Sequence, residues 1–449
     1  MAKPLSAPGS SKRSLGTIFL VVFLDLVGFS IIFPLFPAML EWYLGREGEA
    51  SLLGQLITQL EAWTPAGENN AFLVTVLFGG VLGSLYSLLQ FACAPLWGRL
   101  SDRIGRRRVL LFTVAGTALS YLVWVFSGDF VVLLLARVLG GIMAGNIAVA
   151  TAAVADVTSR ENRSRGMALI GVAFGLGFVA GPALGGLASL WNPLETLPGA
   201  AAWGLHPFSF PAACALVLAL VNWVWVARSF PETRPTPSAA PVAVEAAGER
   251  RGWFSFLTVR NQRVGHAIAV YFVLLVAFSA MEFSLTFLAV ERFAYSPRDL
   301  TGVFLFVGLV LALTQGWFVR RYAGRIGETR CVVGGLVAGA LGLAALGLAQ
   351  GAGLFYGGLA LLGIGIGVTS PTLSALVSLY ADPTRQGAYL GAFRSAGALA
   401  RAVGPLLGAV LYWGQGSTTA YLAGAACLVL ALLLALPLPK PEKEEPAAP

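Results

Sequence analysis

Charge is what this sequence has least of. Only 12% of its 449 residues are Asp, Glu, Lys or Arg, against about 25% in soluble proteins. Histidine occurs twice and cysteine four times, and no spacing among them is typical of a metal site. There is no P-loop and no arrangement typical of a catalytic site. We therefore predict no cofactor, no bound metal, no direct use of ATP and no enzyme activity.

Long apolar stretches fill most of the chain. The sequence is 57% hydrophobic with a mean hydropathy of +0.77, and runs of 18 or more apolar residues recur, each long enough to cross about 30 Å of hydrocarbon as a helix. Segments alternating over roughly 10 residues, typical of a β-barrel, are not seen. We predict an all-α integral membrane protein whose twelve spans lie near 15–41, 71–96, 108–127, 130–155, 166–190, 208–229, 264–289, 300–320, 331–349, 353–379, 387–413 and 418–438.

The chain repeats itself. The segment that begins Arg103-Ile-Gly returns as Arg325-Ile-Gly, and Gly181-Pro182 returns as Gly404-Pro405. Internal duplication is how many transporters are built, with the substrate site between the halves. We predict two pseudo-symmetric six-helix bundles.

The predicted domains follow from the spans. An outer loop at 41–70 lengthens the first bundle, and residues 51–63 of that loop are expected to form an amphipathic helix on the membrane surface. That helix either caps an entrance or simply packs on the surface. The domains are a leader 1–14, an N-terminal bundle 15–229, a linker 230–263, a C-terminal bundle 264–438 and a tail 439–449.

Basic residues set the orientation. Twenty-four of the 30 lysines and arginines fall on one side if both termini lie in the cytoplasm, as the positive-inside rule requires. We predict a multi-pass protein of the cell (inner) membrane with cytoplasmic termini. The net charge of +8 then reflects this topology and contact with anionic lipid, and no nucleic-acid partner is expected.

Four motifs in the right spans resemble the major facilitator superfamily. They are GRLSDRIGRRRVL from Gly98, LLLARVLGG with Arg137, GLGFVAGPALGG from Gly175, and Asp25-x-x-Gly28-x5-Pro34-x-x-Pro37. The last resembles the first span of twelve-span drug:proton antiporters, including tetracycline exporters. Sequences around Glu282 and around Arg394 and Arg401 resemble the animal tetracycline-transporter-like (TETRAN) branch, which is associated with organic-anion and drug efflux.

The resemblance implies a gate. It places Asp102 at the start of span 11 and pairs Arg106 with Asp156, as a latch that forms only when the inner side is closed. The second copy of the motif has Gly324 where the first has Asp102, so the carboxylate acts in the N-terminal half alone. The glycine-rich fifth span forms either a deformable seam between the halves or ordinary small-residue packing. The predicted gating residues are Gly98, Asp102, Arg103, Gly105, Arg106, Asp156, Gly181, Pro182, Gly404 and Pro405.

Charges inside the spans indicate the substrate site. Five lie there, Asp25, Arg137, Glu282, Arg394 and Arg401, and each costs at least ~2.5–3.5 kcal/mol at the bilayer centre. Three arginines against two acids leave a positive surplus, which favours an anion bound through a guanidinium fork. Arg401, Arg394, Arg137 and Glu282 are the predicted substrate-binding residues. The alternative for Arg394 is that it snorkels to the inner surface.

The two acids are the candidate proton sites. Burial and a neighbouring arginine shift a carboxyl group in opposite directions, so Asp25 or Glu282 can bind and release a proton as its surroundings change. The structural alternatives are a permanent Asp25–Arg137 pair and an exposed Glu282 at the end of its span.

Together these patterns predict a monomeric secondary active transporter. It exports an amphipathic organic anion or drug in exchange for protons, by alternating access. The alternatives are a proton-coupled importer of a sugar or metabolite and a transport-inactive receptor or scaffold. The sequence does not name the substrate, the stoichiometry or the host membrane.

Overall fold

The computed structural model describes residues 8–48, 50–63, 70–158, 163–233, 259, 261–381 and 386–440. Parts of the predicted leader, outer loop, linker and tail lie outside these residues. The helices of the N-terminal half are Pro8–Ser30, Phe36–Glu47, Leu52–Trp63, Asn70–Ile104, Arg106–Val125, Phe130–Met143, Asn146–Val157, Arg163–Ala188, Pro193–Thr196 and Ser209–Ser229. Those of the C-terminal half are Gln262–Phe293, Pro297–Leu313, Arg320–Ile326, Glu328–Leu348, Ala352–Tyr380 and Gln386–Ala435.

These helices supply the twelve predicted spans. Eleven helical segments of the described chain are long and apolar enough to cross a membrane. The last of them, Tyr389–Ala435, contains Gly416 with φ 79° and ψ 169°, so it holds spans 11 and 12. Large apolar side chains such as Leu135 and Leu309 are more than half exposed, as expected of a surface that lies against lipid.

The duplication is visible in the backbone. Gly105 joins spans 2 and 3 with φ +106°, and Gly327 joins spans 8 and 9 with φ +94°. Both angles lie in the region that only glycine adopts readily, so the repeated glycine marks the same turn in each half. Only Gly105 is also crowded, because a methyl group there would lie 2.9 Å from the Glu232 carboxyl carbon.

Glycines bring the first and fifth spans close together within the N-terminal half. A methyl group at Gly177 would lie 2.6 Å from the Leu26 side chain, and one at Gly181 would lie 2.5 Å from the Val27 carbonyl oxygen. The Ser30 hydroxyl donates to the Gly177 carbonyl at 3.0 Å across the same contact. Gly177 and Gly181 therefore provide small-residue packing within one half. Gly186 of the same stripe lies against span 8 of the other half, where a methyl group would be 2.8 Å from the Pro297 carbonyl oxygen.

Three spans are interrupted although each was predicted as one continuous helix. Span 1 passes through a 3-10 turn at Phe33–Leu35, where Pro34 cannot donate an intrahelical hydrogen bond. Span 4 stops at Met143 and restarts at Asn146. Span 8 ends in a π-helical turn at Thr314–Val319, a form that often occurs at functional sites.

Contacts between the halves lie away from the linker. We call the end where span 6 stops and span 7 starts the linker end, and the opposite end the far end. Toward the far end, the Phe36 and Phe283 rings and the Phe72 and Phe287 rings each lie 6.2 Å apart. At the linker end the Asp102 side chain is 57% exposed. Among the described residues, ring contacts therefore join the halves toward the far end, and Asp102 is exposed at the linker end.

A buried histidine holds the far end of the N-terminal bundle together. His206 is fully buried, and its Nε2 lies 2.9 Å from the Trp124 carbonyl oxygen and 3.2 Å from the Ser127 hydroxyl. The Phe208 N–H donates to Nδ1 at 3.2 Å, so the ring is neutral and Nε2 carries the proton. Burial lowers the pKa of His206 to about 4.

We expect the protein to lose stability as the pH falls from about 6.5 toward 4. In that window the unfolded chain binds a proton at His206 that the folded protein excludes, so acid favours unfolding, by up to about 3 kcal/mol. The measurement is the thermal midpoint of detergent-solubilised protein against pH. His206→Gln should flatten the acid slope, whereas His266→Gln should leave it as in the wild type. Equal slopes in the wild type and His206→Gln would contradict this role.

Candidate functional site

A cavity between the halves is lined by residues of both halves. Its lining comes from spans 1, 2, 4, 5 and 11, with four aromatic residues, four polar or charged residues and two aliphatic residues. The lining residues are Asp25, Leu26, Phe29, Tyr86, Ser87, Gln90, Ile147, Phe174, Phe178 and Arg401. The structure therefore brings two of the predicted residues, Asp25 and Arg401, into one site.

Arg401 enters the cavity from span 11. It is half-buried, and its guanidinium carbon lies 4.9 Å from the centre of the Phe174 ring, a distance at which a cation is attracted to the ring face. No carboxylate among the described residues lies within ion-pair distance of it. The donors of Arg401 are therefore available to a ligand with a negative charge.

Arg394 lies on the same span toward the linker end. Its Nη2 atom would be 3.9 Å from a methyl group at Gly171 of span 5, so it spans the gap between the halves beside Arg401. The neighbouring Phe393 stacks on Tyr271 with ring centres 3.8 Å apart. Arg394 thus points toward the other bundle, and its side chain does not extend along the helix to the membrane surface.

Asp25 forms the opposite wall. Its side chain is half-buried, with Asn146 as its nearest polar neighbour and Tyr86 and Tyr121 close by. Within the described chain no ion pair joins Asp25 to Arg137. The permanent pair considered as a structural alternative is therefore absent from this state.

Arg137 lies behind the cavity wall. It is 5% exposed, its guanidinium carbon lies 4.4 Å from the centre of the Tyr86 ring, and its Nε has no hydrogen-bond partner. Tyr86 lines the cavity, and its ring covers Arg137 on the cavity side. Direct contact between Arg137 and a substrate therefore requires Tyr86 to move, and its substrate-binding role stays a prediction.

Glu282 faces Arg401 from span 7. It is half-buried, and Arg401 is the charged group that acts on it most strongly, but the two lie beyond ion-pair distance in the described structure. Glu282 sits inside Gln262–Phe293, eleven residues before that helix ends. It is therefore not an exposed residue at the end of the span.

The aromatic lining was not predicted. Phe174 and Phe178 stack 6.2 Å apart, and Phe29 lies 4.8 Å from Tyr86 and 5.9 Å from Phe178. The signal was present in span 5, where two phenylalanines four residues apart interrupt a run of glycines and so share one face. Gln315, on the π-helical turn of span 8, also approaches this face. Its Oε1 would lie 3.5 Å from a methyl group placed at Gly175.

The loop motif forms a cluster within the N-terminal half. Arg106 pairs with Asp102 at 2.6 Å and with Asp156 at 2.9 Å. Glu232, just after span 6, accepts the Arg106 backbone N–H at 2.8 Å and was missed because it is 126 positions away. These contacts are present in this structure, and the expectation that they form only when the inner side is closed stays a prediction. A gating role for Gly98, Asp102, Arg103, Gly105, Arg106 and Asp156 stays a prediction.

The paired Gly-Pro motifs occupy corresponding positions. Gly181 lies against span 1, and Gly404 lies against span 7, where a methyl group would be 2.8 Å from the Ser279 side chain. Both contacts are within one half, so these glycines do not form a seam between the halves. Pro405 does face the other half, since its carbonyl oxygen would be 3.2 Å from a methyl group at Gly80 of span 2. A gating role for Pro182 and Pro405 stays a prediction.

Two six-helix bundles around a charged central cavity define a membrane carrier. A family model of the Major Facilitator Superfamily matches residues 18–405, with a second match at 321–449. The chain belongs to this superfamily, as its motifs predicted, and is a membrane transporter.

Relatives support the finer resemblance. Major facilitator superfamily domain-containing protein 10 from Bos taurus is 36% identical over 93% of this chain and 91% of its own. The class E tetracycline resistance protein from Escherichia coli is 30% identical over 89% of this chain and 88% of its own. The crystal structure of the human organic anion transporter MFSD10 (TETRAN) matches with a TM-score of 0.74 and 33% identity, covering 96% of this chain and all of that one.

The two buried arginines should respond differently to removal of their charge. Arg137→Met should leave the thermal midpoint of the purified protein at or above the wild-type value, because it removes a buried cation that has no ionic partner. Arg106→Met, the matched control, should lower it, because Asp102 and Asp156 lose their counter-charge. A midpoint that drops as far in Arg137→Met as in Arg106→Met would show that Arg137 has a partner after all.

Proposed function

We propose that this protein is a proton-coupled transporter of amphipathic organic anions that works by alternating access. The observation that carries the proposal is Arg401, a cation in a membrane span that faces a cavity between the halves and stacks on Phe174. No carboxylate of the described residues lies at ion-pair distance from it. A charge in that position is costly, and such residues mark substrate pathways.

The lining fits the substrate class. A guanidinium fork binds a carboxylate or a similar planar anion through two hydrogen bonds, and the Phe29, Phe174 and Phe178 rings offer an apolar surface to the rest of the molecule. Arg394, on the same helix, extends the positive wall. The organic anion transporter among the solved relatives supports the same class.

Asp25 and Glu282 are the proposed proton carriers. Asp25 lines the cavity from the N-terminal half and Glu282 lies near Arg401 in the C-terminal half, and neither forms an ion pair in the described structure. Movement of the halves changes how close Asp25 is to Arg401, whereas an anion bound to Arg401 changes the charge near Glu282 within its own half. The proximity of a cation decides whether a carboxyl group keeps its proton. Exchange of the anion for protons, hence efflux, is the direction that the similarity to tetracycline resistance proteins supports.

Charge around Arg401 favours cotransport as a second candidate. Arg401 is the cation that acts on Glu282, and an anion bound to Arg401 adds negative charge near both Glu282 and Asp25. That charge favours proton binding, so the anion and the proton would then move in the same direction. The charged lining does not favour an importer of a neutral sugar. A transport-inactive scaffold would not explain why Asp25, Glu282 and Arg401 are charged groups within the spans.

The proposed setting follows the charge pattern. The linker end faces the cytoplasm, and the protein lies in the cell (inner) membrane with both termini inside. It acts as a monomer, since one chain supplies all the residues that line the cavity.

Reconstituted transport tests the proposal. Proteoliposomes with an imposed pH gradient should move tritiated 2-naphthoate, and the sign of the gradient that drives uptake separates exchange from cotransport. Asp25→Asn or Glu282→Gln should abolish the pH-driven component while 2-naphthoate still exchanges for itself, because the anion site remains. Full pH-driven transport by both variants would remove the coupling role from these acids, and no response of the wild type to the gradient would reject proton coupling altogether.

Arg401→Ala should weaken binding of 2-naphthoate about ten- to a hundredfold, because a charge-assisted hydrogen bond is lost. Neutral 2-naphthamide, which has the same shape, should lose far less. Arg401→Lys should restore binding only in part, since lysine keeps the charge without the planar fork. Both affinities are measured by scintillation proximity on purified protein.

Arg46→Ala is the matched control, because Arg46 also stacks on a ring, Trp42, at 5.3 Å, but lies outside the cavity. It should change neither affinity. Equal losses for the anion and the amide in Arg401→Ala would indicate a packing role instead.

A further inference from the structure

The interruption of span 4 is held in place by side chains of span 2. The Trp97 indole N–H donates to the Ile142 carbonyl at 2.7 Å, and the Gln90 amide donates to the Ala144 carbonyl at 3.0 Å. Carbonyl groups at the end of a helical segment need such partners from outside the helix. Gly145 leaves room for Trp97, since a methyl group there would lie 2.9 Å from the Trp97 Cβ. The interruption is therefore a packed feature of the bundle.

Asn146 begins the second segment of span 4 with its amide group already oriented. Its Oδ1 accepts the Ile147 backbone N–H at 2.8 Å, so the oxygen is engaged at the start of the helix. Its Nδ2 is buried and has no hydrogen-bond partner, and the residue is only 2% exposed. A buried amide donor without a partner is costly, which indicates that it is satisfied in another state of the protein.

The Asp25 carboxyl lies beside this donor, close enough for the amide to act on it but beyond the length of a normal hydrogen bond. Asp25 and Ile147 line the cavity together, so the first turn of the second segment faces span 1 at this level. A neutral carboxyl leaves the Asn146 donor unused, whereas a carboxylate accepts it strongly. The start of a helix also favours negative charge nearby.

The other groups around Asp25 come from several spans. Tyr86 of span 2 and Tyr121 of span 3 lie close to it, Arg137 of span 4 lies next to these two tyrosines, and Arg401 of span 11 lines the same cavity. The Tyr121 hydroxyl and the Arg137 Nε also lack partners. Among these donors only Asn146 is aligned by the interruption itself.

We propose that Asn146 is the positioning residue for proton release from Asp25, and that the interruption of span 4 holds it in place for that purpose. When Asp25 loses its proton, the Asn146 amide donates to the carboxylate. When Asp25 regains the proton, the amide is released. Gln90 lines the substrate cavity and also donates to the Ala144 carbonyl at the interruption. An anion bound in the cavity can therefore act on Asn146 and Asp25 through Gln90. The inference rests on the proposed proton coupling at Asp25.

The test is a pH titration of the Asp25 carboxyl by infrared spectroscopy of reconstituted protein, which needs no substrate. The protonated C=O band of Asp25 is the one lost in Asp25→Asn. Asn146→Ala should raise the pH midpoint of that band by about one to two units, because the carboxylate loses a charge-assisted hydrogen bond. Asn146→Ser, which keeps a shorter donor, should give a smaller shift and serves if the alanine variant does not fold.

Asn222→Ala is the matched control. Asn222 is also buried and also contacts span 1, donating to the Val21 carbonyl at 3.0 Å, one turn from Asp25. It should leave the midpoint unchanged. An unchanged midpoint in the Asn146 variants, an equal shift in Asn222→Ala, or the absence of any band lost in Asp25→Asn would overturn the inference. If the midpoint shifts but a pH gradient drives no transport in the wild type, the inference about Asn146 stands and the proposed function fails.

Discussion

A charge placed within a lipid bilayer has to be paired, hydrated or bound to something that passes through, and this constraint organises the molecule. The ion pairs seen in the described structure both involve Arg106, at the linker end where water reaches. Deeper in the membrane, Arg137 and Arg401 lie over the rings of Tyr86 and Phe174 instead. Aromatic faces hold these cations without neutralising them, and a cation held in that way keeps its capacity to bind an anion.

The scaffold around these charges is rigid within each half and separable between them. Glycines draw span 5 onto span 1 and span 11 onto span 7, and the Arg106 cluster ties the start of span 3 to Glu232 beyond span 6. Between the halves, the far end is joined by phenylalanine contacts, which have no directional hydrogen bonds to break. Such an interface can part and re-form as bundles rock around a central site.

Periodicity and the repeated motifs predicted the twelve spans, the two bundles and the helix at Leu52–Trp63, because hydrophobic length and basic loops are local signals. Asp25 and Arg401 were found because charge is conspicuous in an apolar span. The interruption before Asn146 could not be predicted, since no proline marks it and its carbonyl partners, Gln90 and Trp97, lie in another helix. The separation of Arg137 from the cavity could not be predicted either, because it depends on the position of the Tyr86 ring, which sequence spacing does not determine.

The central claim is that an anion binds between Arg401 and the aromatic wall of the cavity. A crystal structure with a bromine-labelled aromatic carboxylate tests it most directly, because the anomalous signal of bromine locates the ligand independently of the protein. We expect the carboxylate at the Arg401 guanidinium and the brominated ring against Phe174 and Phe178. Bromine located only outside the cavity, or Arg401 bonded to Glu282 with the ligand elsewhere, would contradict the claim.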